Sequence, residues 1–444
     1  MKAAWLAAAT ALGLAACATH PPPPEKALAS TSCPTEVPAG TQCWAGQDSA
    51  GAYVMVARPA NWAGTLVLHA HGGPTLGPPK PERVVADLKR WAVMVRAGYA
   101  WAGTSFHQGG VAVRSAAADI ERLQRIAVQQ LGTIQTTVLH GQSWGASVAA
   151  KAAEIQGGAR GTAQSYDAVL LTSGVLGGGS RSYDFRLDLR VVYQALCHNH
   201  PRPSEPAYPL WMGLPEGSTM TAADLAARTR ECLGIGQPAA ERSPVQAERL
   251  KTIVDVIHIP ARSVQSHLSF ATFTFRDIAR RSGGKPVFGN IGVRYRGSSN
   301  DDLLNETVAR YAANPAAQAG FAADTDLTGQ LAVPTLTVHA IDDPTAFVEL
   351  ESAFAETVAK AGHSDRLLQT FTLDHEHSYL ADPDYPAAMA ALLDWVHTGR
   401  KPTPQDVAGR CMALQTRFGP GCRFEPTYQP STLASRVPER HHDR

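Results

Sequence analysis

The sequence predicts an α/β fold: a mostly parallel β-sheet with helices on both faces, interrupted by one large, mainly helical insertion. Three observations support this prediction. Short apolar and β-branched runs alternate with helix-forming segments over residues 50–176 and again over 333–397. These runs are mainly apolar or β-branched, which is typical of parallel strands that are buried on both faces. The intervening residues 177–327 have a different texture, with proline-rich loops and separate helical segments.

The elements can be assigned in order along the chain. Predicted strands occupy residues 53–56, 65–69, 98–104, 136–140, 168–172, 333–338 and 367–371. A helix is predicted over 119–131, where Ile120, Leu123 and Ile126 recur at helical spacing before the stop at Gly132. The other predicted helices of these two regions cover 146–154 and 385–397.

The alternation stops at the three glycines 177–179, directly after a predicted strand. Three helices are predicted within the insertion, over 221–233, 245–257 and 301–313. An insertion that leaves the sheet after a parallel strand starts at the carboxyl edge, where ligands bind in α/β sheets. We therefore expect the insertion to form a lid over that edge.

The bulk composition limits the possible partners. The chain has 444 residues, a formal net charge of +1 and 18% charged residues. No basic stripe is present, which argues against nucleic acid and favours a small or neutral molecule as the partner. No cofactor is expected. No metal site is expected either, because the Cys-His-Asn-His stretch 197–200 lacks a second set of ligands at metal-binding spacing.

The N-terminus has the layout of an export signal. Residues 1–16 join Lys2 to an alanine-rich apolar run that is too short to span a bilayer. The Leu-Ala-Ala-Cys ending resembles the bacterial lipoprotein box, in which the signal is cut before a cysteine that is then acylated. This resemblance predicts lipidation of Cys17 and a membrane-anchored exported protein. The alternative is a soluble periplasmic or secreted protein. Pro21–Pro24 would form a stiff spacer.

Six cysteines remain after Cys17, and an even number in an exported chain indicates disulfides. They lie in three near-neighbour pairs along the sequence. The predicted disulfides are Cys33–Cys43, Cys197–Cys232 and Cys411–Cys422.

Residues 141–145 have the sequence Gly-Gln-Ser-Trp-Gly, a G-x-S-x-G motif between a predicted strand and a predicted helix. This is the strand–turn–helix of a nucleophile elbow, in which the glycines permit a strained turn that exposes the serine. Ser143 is therefore the predicted nucleophile. The alternative is that Ser143 only caps the helix.

A serine nucleophile needs a base and an acid that orients the base. In the hydrolase order Ser, Asp, His, the acid follows a late strand and the base follows the last one. Asp342 and Asp343 follow the second-last predicted strand, and His375 and His377 follow the last. The order alone leaves both choices open.

Over roughly residues 50–400 the chain resembles the serine hydrolases of the α/β-hydrolase superfamily. Acids of that superfamily often occupy a G-x-x-D turn, and residues 340–343, Ala-Ile-Asp-Asp, match it with Asp343 as the acid, except that Ala340 replaces the glycine. The match favours Asp343 over Asp342. The base usually follows glycine and precedes a small residue. The Glu-His-Ser stretch 376–378 fits except for its glutamate, which favours His377 over His375.

The His-Gly-Gly-Pro stretch 71–74 follows an early predicted strand and resembles the oxyanion loop of the same superfamily. The resemblance implies that the backbone N–H groups of Gly73 and Trp144 hold the oxyanion. A plain glycine turn is the alternative.

The resemblance also implies a function. An exported hydrolase with a large, disulfide-tied lid resembles bacterial carboxylesterases, including those acting on tannin-like, feruloyl or polyester substrates, so a small-molecule ester is the expected substrate. The His-Gly-Gly-Pro and Ser-Trp-Gly stretches also resemble capped proline-specific peptidases, but Thr75 replaces their usual glycine and no β-propeller precedes the motif. An inactive binding protein is the third possibility.

Eight lid aromatic residues would mostly form lid core, although some could line an acyl or aryl pocket: Tyr183, Phe185, Tyr193, Tyr208, Trp211, Phe270, Phe273 and Phe275.

The expected organisation has six parts. They are a signal peptide with the lipobox cysteine (1–17), a Pro-rich spacer (18–32), the first part of the hydrolase domain (33–176), the lid (177–327), the second part with a C-terminal wrap (328–430) and a mobile tail (431–444).

Overall fold

The computed structural model describes residues 25–156 and 166–440. The signal peptide and Cys17 lie outside these residues. The strands are β1 Ala29–Thr31, β2 Gln42–Gln47, β3 Tyr53–Arg58, β4 Thr65–Ala70, β5 Ala100–Thr104, β6 Thr136–Gln142, β7 Ala168–Thr172, β8 Thr335–Ala340 and β9 Leu367–Thr372.

The nine strands of the described residues form one sheet in the order β1-β2-β3-β5-β4-β6-β7-β8-β9. The pairs β1/β2, β2/β3 and β3/β5 are antiparallel, and all pairs from β5 onward in that order are parallel. Strands β6, β7 and β8 are buried at every position, as their apolar sequences predicted. The predicted mostly parallel sheet is confirmed, and its parallel strands all end at one edge.

Helices cover both faces of the sheet. They are α1 Pro81–Arg90, α2 Ala92–Arg96, α3 Val113–Leu131, α4 Trp144–Gln156, α5 Gly179–Ser182, α6 Phe185–Cys197, α7 Ala222–Leu233, α8 Pro244–Ile257, α9 Val264–Ser269, α10 Phe275–Arg281, α11 Asp301–Thr307, α12 Pro315–Thr325, α13 Glu349–Lys360, α14 Asp384–Thr398 and α15 Pro404–Phe418. Helices α3 and α4 pack in one core together with the segment between β7 and β8, and α1, α2, α14 and α15 pack in the other.

The segment between β7 and β8 carries α5 to α12, and we keep the name lid for its residues 177–327. Helices α7 and α8 match two sequence predictions, because Thr221 and Ser243 cap their first turns as complete capping boxes. Helix α11 ends earlier than predicted, since Val308 is extended. Helix α6 and the continuous helical segment 264–281 had not been predicted from the sequence.

All three predicted disulfides are present. Their Cα–Cα distances are 5.4 Å for Cys33–Cys43, 5.7 Å for Cys197–Cys232 and 5.8 Å for Cys411–Cys422. The second bridge joins the end of α6 to α7 within the lid. Three disulfides in one chain are typical of proteins from oxidising compartments.

The Pro-rich spacer is shorter than expected. Ala29–Thr31 was assigned to it, but pairs as β1 with β2. The Glu25 carboxylate accepts hydrogen bonds from the backbone N–H and the hydroxyl of Ser49, at 2.8 and 3.0 Å. Residues from Glu25 onward are therefore held against the sheet domain.

The C-terminal segment differs from the expected mobile tail as far as residue 440. Leu433 and Val437 are buried in the core. Beyond them, the Arg440 guanidinium lies 2.6 Å from an Asp188 carboxylate oxygen and 3.2 Å from one of Asp184, both in or beside α6. Two apolar anchors and a buried charge thus fix a stretch whose polar, proline-containing sequence had indicated mobility.

None of the helices in the described ranges combines the length and apolar character needed to cross a membrane.

Candidate active site

Ser143 occupies the single position between β6 and α4, at the carboxyl edge of the sheet. Its φ of 58° is the strained turn that a nucleophile elbow requires. Close packing explains the two motif glycines. A Cβ on Gly141 would lie 2.3 Å from the carbonyl oxygen of Gly145, and a Cβ on Gly145 would lie 2.1 Å from that of Ala70. Larger residues at either position would displace the backbone that presents Ser143.

Three of the candidate residues meet in hydrogen-bonding contact. The His377 Nε2 lies 2.8 Å from the Ser143 Oγ. On the other side of the ring, Nδ1 lies 2.8 and 3.0 Å from the two carboxylate oxygens of Asp343. Asp343 is completely buried at its side chain, whereas His377 is 21% exposed. This arrangement allows the imidazole to accept the serine proton and the carboxylate to stabilise the resulting imidazolium.

The competing candidates form a separate pair on the surface. The His375 Nδ1 lies 3.1 Å from an Asp342 carboxylate oxygen, and both side chains are more than half exposed. Arg262 of the lid donates to the Asp342 carboxylate at 3.2 Å and to the His375 carbonyl oxygen at 3.0 Å. The structure therefore separates the two candidate pairs and brings Asp343 and His377 to Ser143.

Buried partners fix the carboxylate of Asp343. Its Oδ1 accepts hydrogen bonds from the backbone N–H groups of Thr345 and Ala346, at 2.8 and 2.9 Å. The His339 ring lies 3.6 Å from its Oδ2 and 2.9 Å from the Glu351 carboxylate. Burial opposes the charged form of His339, but the hydrogen bond and charge of Glu351 outweigh it and raise the His339 pKa.

The two predicted oxyanion donors lie next to each other. A Cβ on Gly73 would be 3.8 Å from the Trp144 ring, and that ring packs edge-on against Phe106 at 5.6 Å. Trp144 is the first residue of α4, where backbone N–H groups have no partner inside the helix. Within the described part of the chain, neither the Gly73 nor the Trp144 backbone N–H donates a hydrogen bond. Neither N–H group is thus engaged by another acceptor among these residues.

Two further residues hold the base loop in place. Arg90 of α1 donates to the Ser378 carbonyl oxygen and lies 4.1 Å from the Tyr379 ring centroid. Gln142 donates from its side chain to the Ser378 hydroxyl, and its amide would contact any Cβ on Gly72. Gln142 could have been noticed as the variable residue of the G-x-S-x-G motif. Nothing in the sequence indicated Arg90.

The order of the sheet and the positions of these residues together define the architecture. The serine follows β6, the carboxylate follows β8 and the histidine follows β9, on a sheet that is antiparallel only at its β1–β3 side. The chain has the α/β-hydrolase fold. Ser143, Asp343 and His377 occur in the chain order Ser, Asp, His that is typical of this fold.

No protein-family model and no curated protein matches the chain. Solved structures do match it. An esterase from Aspergillus oryzae is 12% identical with a TM-score of 0.37, over 82% of this chain and 80% of that one. Candida antarctica lipase A in its closed state is 11% identical with a TM-score of 0.40, over 87% and 90%. Tannin acyl hydrolase from Aspergillus niger is 11% identical with a TM-score of 0.38, over 85% and 83%. Identities and scores this low assign no activity to this chain.

Proposed function

We propose that the protein is a serine hydrolase that cleaves carboxylic esters through an acyl-enzyme. The observation that carries the proposal is the 2.8 Å contact between the Ser143 Oγ and the His377 Nε2, with Asp343 on the opposite ring nitrogen. A serine hydroxyl is a weak nucleophile until such a base removes its proton.

The roles follow from the geometry. Ser143 attacks the ester carbonyl carbon while His377 takes its proton, and the carbonyl oxygen becomes an oxyanion. His377 then returns the proton to the leaving alcohol, which leaves Ser143 acylated. Water, deprotonated by His377, attacks the acyl-enzyme and releases the acid. Asp343 remains ionised throughout and keeps the His377 proton on Nδ1.

The oxyanion is assigned to the backbone N–H groups of Gly73 and Trp144. Their freedom from other hydrogen bonds in the described residues supports the assignment, because a preorganised donor needs no rearrangement when charge develops. Losing one such donor typically reduces kcat by about 10²–10³-fold.

Labelling by a fluorophosphonate probe, which reacts with activated serines, tests the proposal. Ser143→Ala should abolish labelling. Ser147→Ala, which changes a serine inside α4 one turn after Ser143, should retain it. Continued stoichiometric labelling of the Ser143→Ala variant would refute the nucleophile. A panel of p-nitrophenyl esters and aminoacyl anilides then separates the esterase from the alternative exopeptidase. A chain that neither reacts with the probe nor cleaves either class would be a binding protein.

We also propose that the protein is exported and anchored through lipid on Cys17. The three disulfides support export, because such bridges persist in oxidising compartments. Metabolic labelling with palmitate in a bacterial host should mark the wild type but not Cys17→Ser. A mature N-terminus well beyond residue 17 would exclude the anchor.

A further inference from the structure

A continuous helical segment of the lid, residues 264–281, spans the candidate active site. Near one end, the His267 Nε2 lies 3.0 Å from the Pro344 carbonyl oxygen, next to the acid. At the other end, Arg281 donates to the carbonyl oxygen of Gly109, which packs against the chain just after the His-Gly-Gly-Pro motif. The segment therefore reaches from the loop after β8 to the loop after β5, which packs against the chain just after the His-Gly-Gly-Pro motif.

The middle of this segment is a π-helical turn, Phe270–Thr274. The two ends contact the loops after β8 and β5, which lie on opposite sides of β6 in the sheet, so this turn crosses the carboxyl edge at which Ser143 follows β6. Single π turns occur frequently at functional sites. The Phe270 ring is only partly buried and packs 4.9 Å from the ring of Tyr183, so both rings belong to the part of the lid that crosses this edge.

The same aromatic groups enclose a guanidinium. Arg186 lies 4.3 Å from the ring centroid of Phe270, 4.6 Å from that of Phe185 and 5.2 Å from that of Tyr183. Arg186 is only 5% exposed to solvent. Its one hydrogen bond within the described residues runs from Nη1 to the Ser182 carbonyl oxygen at 2.9 Å, and the buried Nε has no partner there.

Two other buried arginines have hydrogen-bond or ion-pair partners of a kind that Arg186 lacks among the described residues. Arg440 forms ion pairs with both Asp184 and Asp188. Arg190 donates from both terminal nitrogens, to the His200 carbonyl oxygen at 2.5 Å and to the Tyr208 hydroxyl at 3.0 Å. Arg186 has neither arrangement, because no described carboxylate lies within ion-pair distance of it, and the charge of Asp184 acts on it only from farther away.

An unpaired buried charge is costly. Burial lowers the pKa of Arg186 to about 10, which leaves the guanidinium charged at neutral pH. Cation–π contacts recover only part of the free energy that is lost on burying an ion. An anion bound beside Arg186 would offset the remainder through charge-assisted hydrogen bonds.

We propose that Arg186 binds a carboxylate of the substrate, so that the preferred substrates are carboxylic esters carrying a second, ionised carboxyl group. The inference rests on the proposed hydrolase function and names its substrate class. The aromatic rings around Arg186 favour an apolar aliphatic or aryl spacer between the ester and the carboxylate. That carboxylate can belong to the acyl part or to the leaving alcohol, and the experiment separates the two.

The first test uses wild-type protein and matched esters. On the acyl side, p-nitrophenyl hydrogen glutarate is compared with p-nitrophenyl valerate. On the alcohol side, 4-butyryloxybenzoate is compared with its methyl ester. In one of the two comparisons, kcat/KM should be about 10–100-fold higher for the carboxylate, as expected for a hydrogen bond to a charged group. Less than a twofold preference in both comparisons overturns the inference.

The second test changes the arginine. Arg186→Met should remove the preference by lowering kcat/KM for the carboxylate ester much more than for the neutral ester, and Arg186→Lys should restore part of it. Arg280→Met, an exposed lid arginine, should change neither. Fluorophosphonate labelling distinguishes a failure of the proposed hydrolase function from a failure of the proposed role of Arg186. Unlabelled wild type refutes the hydrolase, whereas a labelled wild type without carboxylate preference refutes only the role of Arg186. Because the first test needs no variant, it decides the question even if Arg186→Met does not fold.

Discussion

Replacing Asp343 with asparagine tests how the acid controls the base. In the structure, Asp343 Oδ1 accepts hydrogen bonds from two backbone N–H groups, those of Thr345 and Ala346. Its Oδ2 lies 2.8 Å from the His377 Nδ1. The two N–H groups need an acceptor, so the amide oxygen of the variant should take the Oδ1 position and its NH₂ group should face His377.

That orientation forces the wrong tautomer on the base. An NH₂ donor opposite Nδ1 moves the ring proton of His377 to Nε2, which then cannot accept the proton of Ser143. The equivalent substitution in a serine protease lowers kcat by about 10⁴-fold, which corresponds to about 5.5 kcal/mol of transition-state stabilisation. We expect a loss of the same order for Asp343→Asn, with an unchanged fold because the backbone hydrogen bonds persist.

Asp342→Asn is the matched control. Asp342 is exposed, and among the described residues its carboxylate pairs only with His375 and Arg262, so its substitution should change kcat by less than about threefold. Steady-state hydrolysis of a p-nitrophenyl ester and circular dichroism measure activity and folding for both variants. Equal losses, or a larger loss for Asp342→Asn, would refute the assignment. His377→Ala against His375→Ala provides the same comparison for the base.

Three further predictions concern residues around the site. Arg90→Met should lower kcat about 10–100-fold with little change in KM, because the Ser378 carbonyl oxygen loses its donor and the loop that carries His377 shifts. Steady-state kinetics should show this loss and a partial rescue by Arg90→Lys. Cys197→Ser combined with Cys232→Ser should change KM and substrate preference more than the fluorophosphonate labelling rate, and unchanged preference would count against the lid. Burial, reinforced by the charge of a neighbouring carboxylate, raises the Asp384 pKa to about 8. Its contribution to stability is therefore fully present below its unfolded pKa and lost as pH rises towards 8. In urea unfolding, the free energy of unfolding of Asp384→Asn should exceed that of the wild type by up to about 5 kcal/mol at pH 8 and by less at pH 5.

Local sequence rules were sufficient where one short stretch determines the geometry. The elbow at Ser143 follows from its glycines and the flanking strand and helix, and the disulfides follow from cysteines that are close in sequence. Asp342 and Asp343 are different, because both follow the same strand. The choice between them depends on the turn in which Asp343 accepts the N–H groups of Thr345 and Ala346, and this turn exists only in the folded loop.

Helix α6 shows why part of the lid could not be predicted. Its first six residues alternate apolar and charged side chains, a pattern typical of a half-exposed strand. In the structure these charged side chains are buried instead. Asp188 is paired with Tyr295 and Arg440, and Arg190 is paired with His200, so residues far away in sequence make the helix possible. Arg186 follows the same alternation, yet the described residues leave it without an ionic partner.

The anchoring of the lid bears on how a substrate is selected. Arg436 of the C-terminal segment bridges Glu349 of α13, at 2.8 and 3.0 Å, and the His258 carbonyl oxygen at the end of α8, at 2.7 Å. Arg440 adds its buried ion pairs to the lid, and Arg262 ties the lid to the loops that carry the acid and the base. Lifting the lid would break all of these contacts together, and removing one partner of a buried pair alone costs about 3–5 kcal/mol. We therefore expect the side chains of the lid near Ser143, rather than an opening motion, to determine which substrates of the proposed hydrolase react.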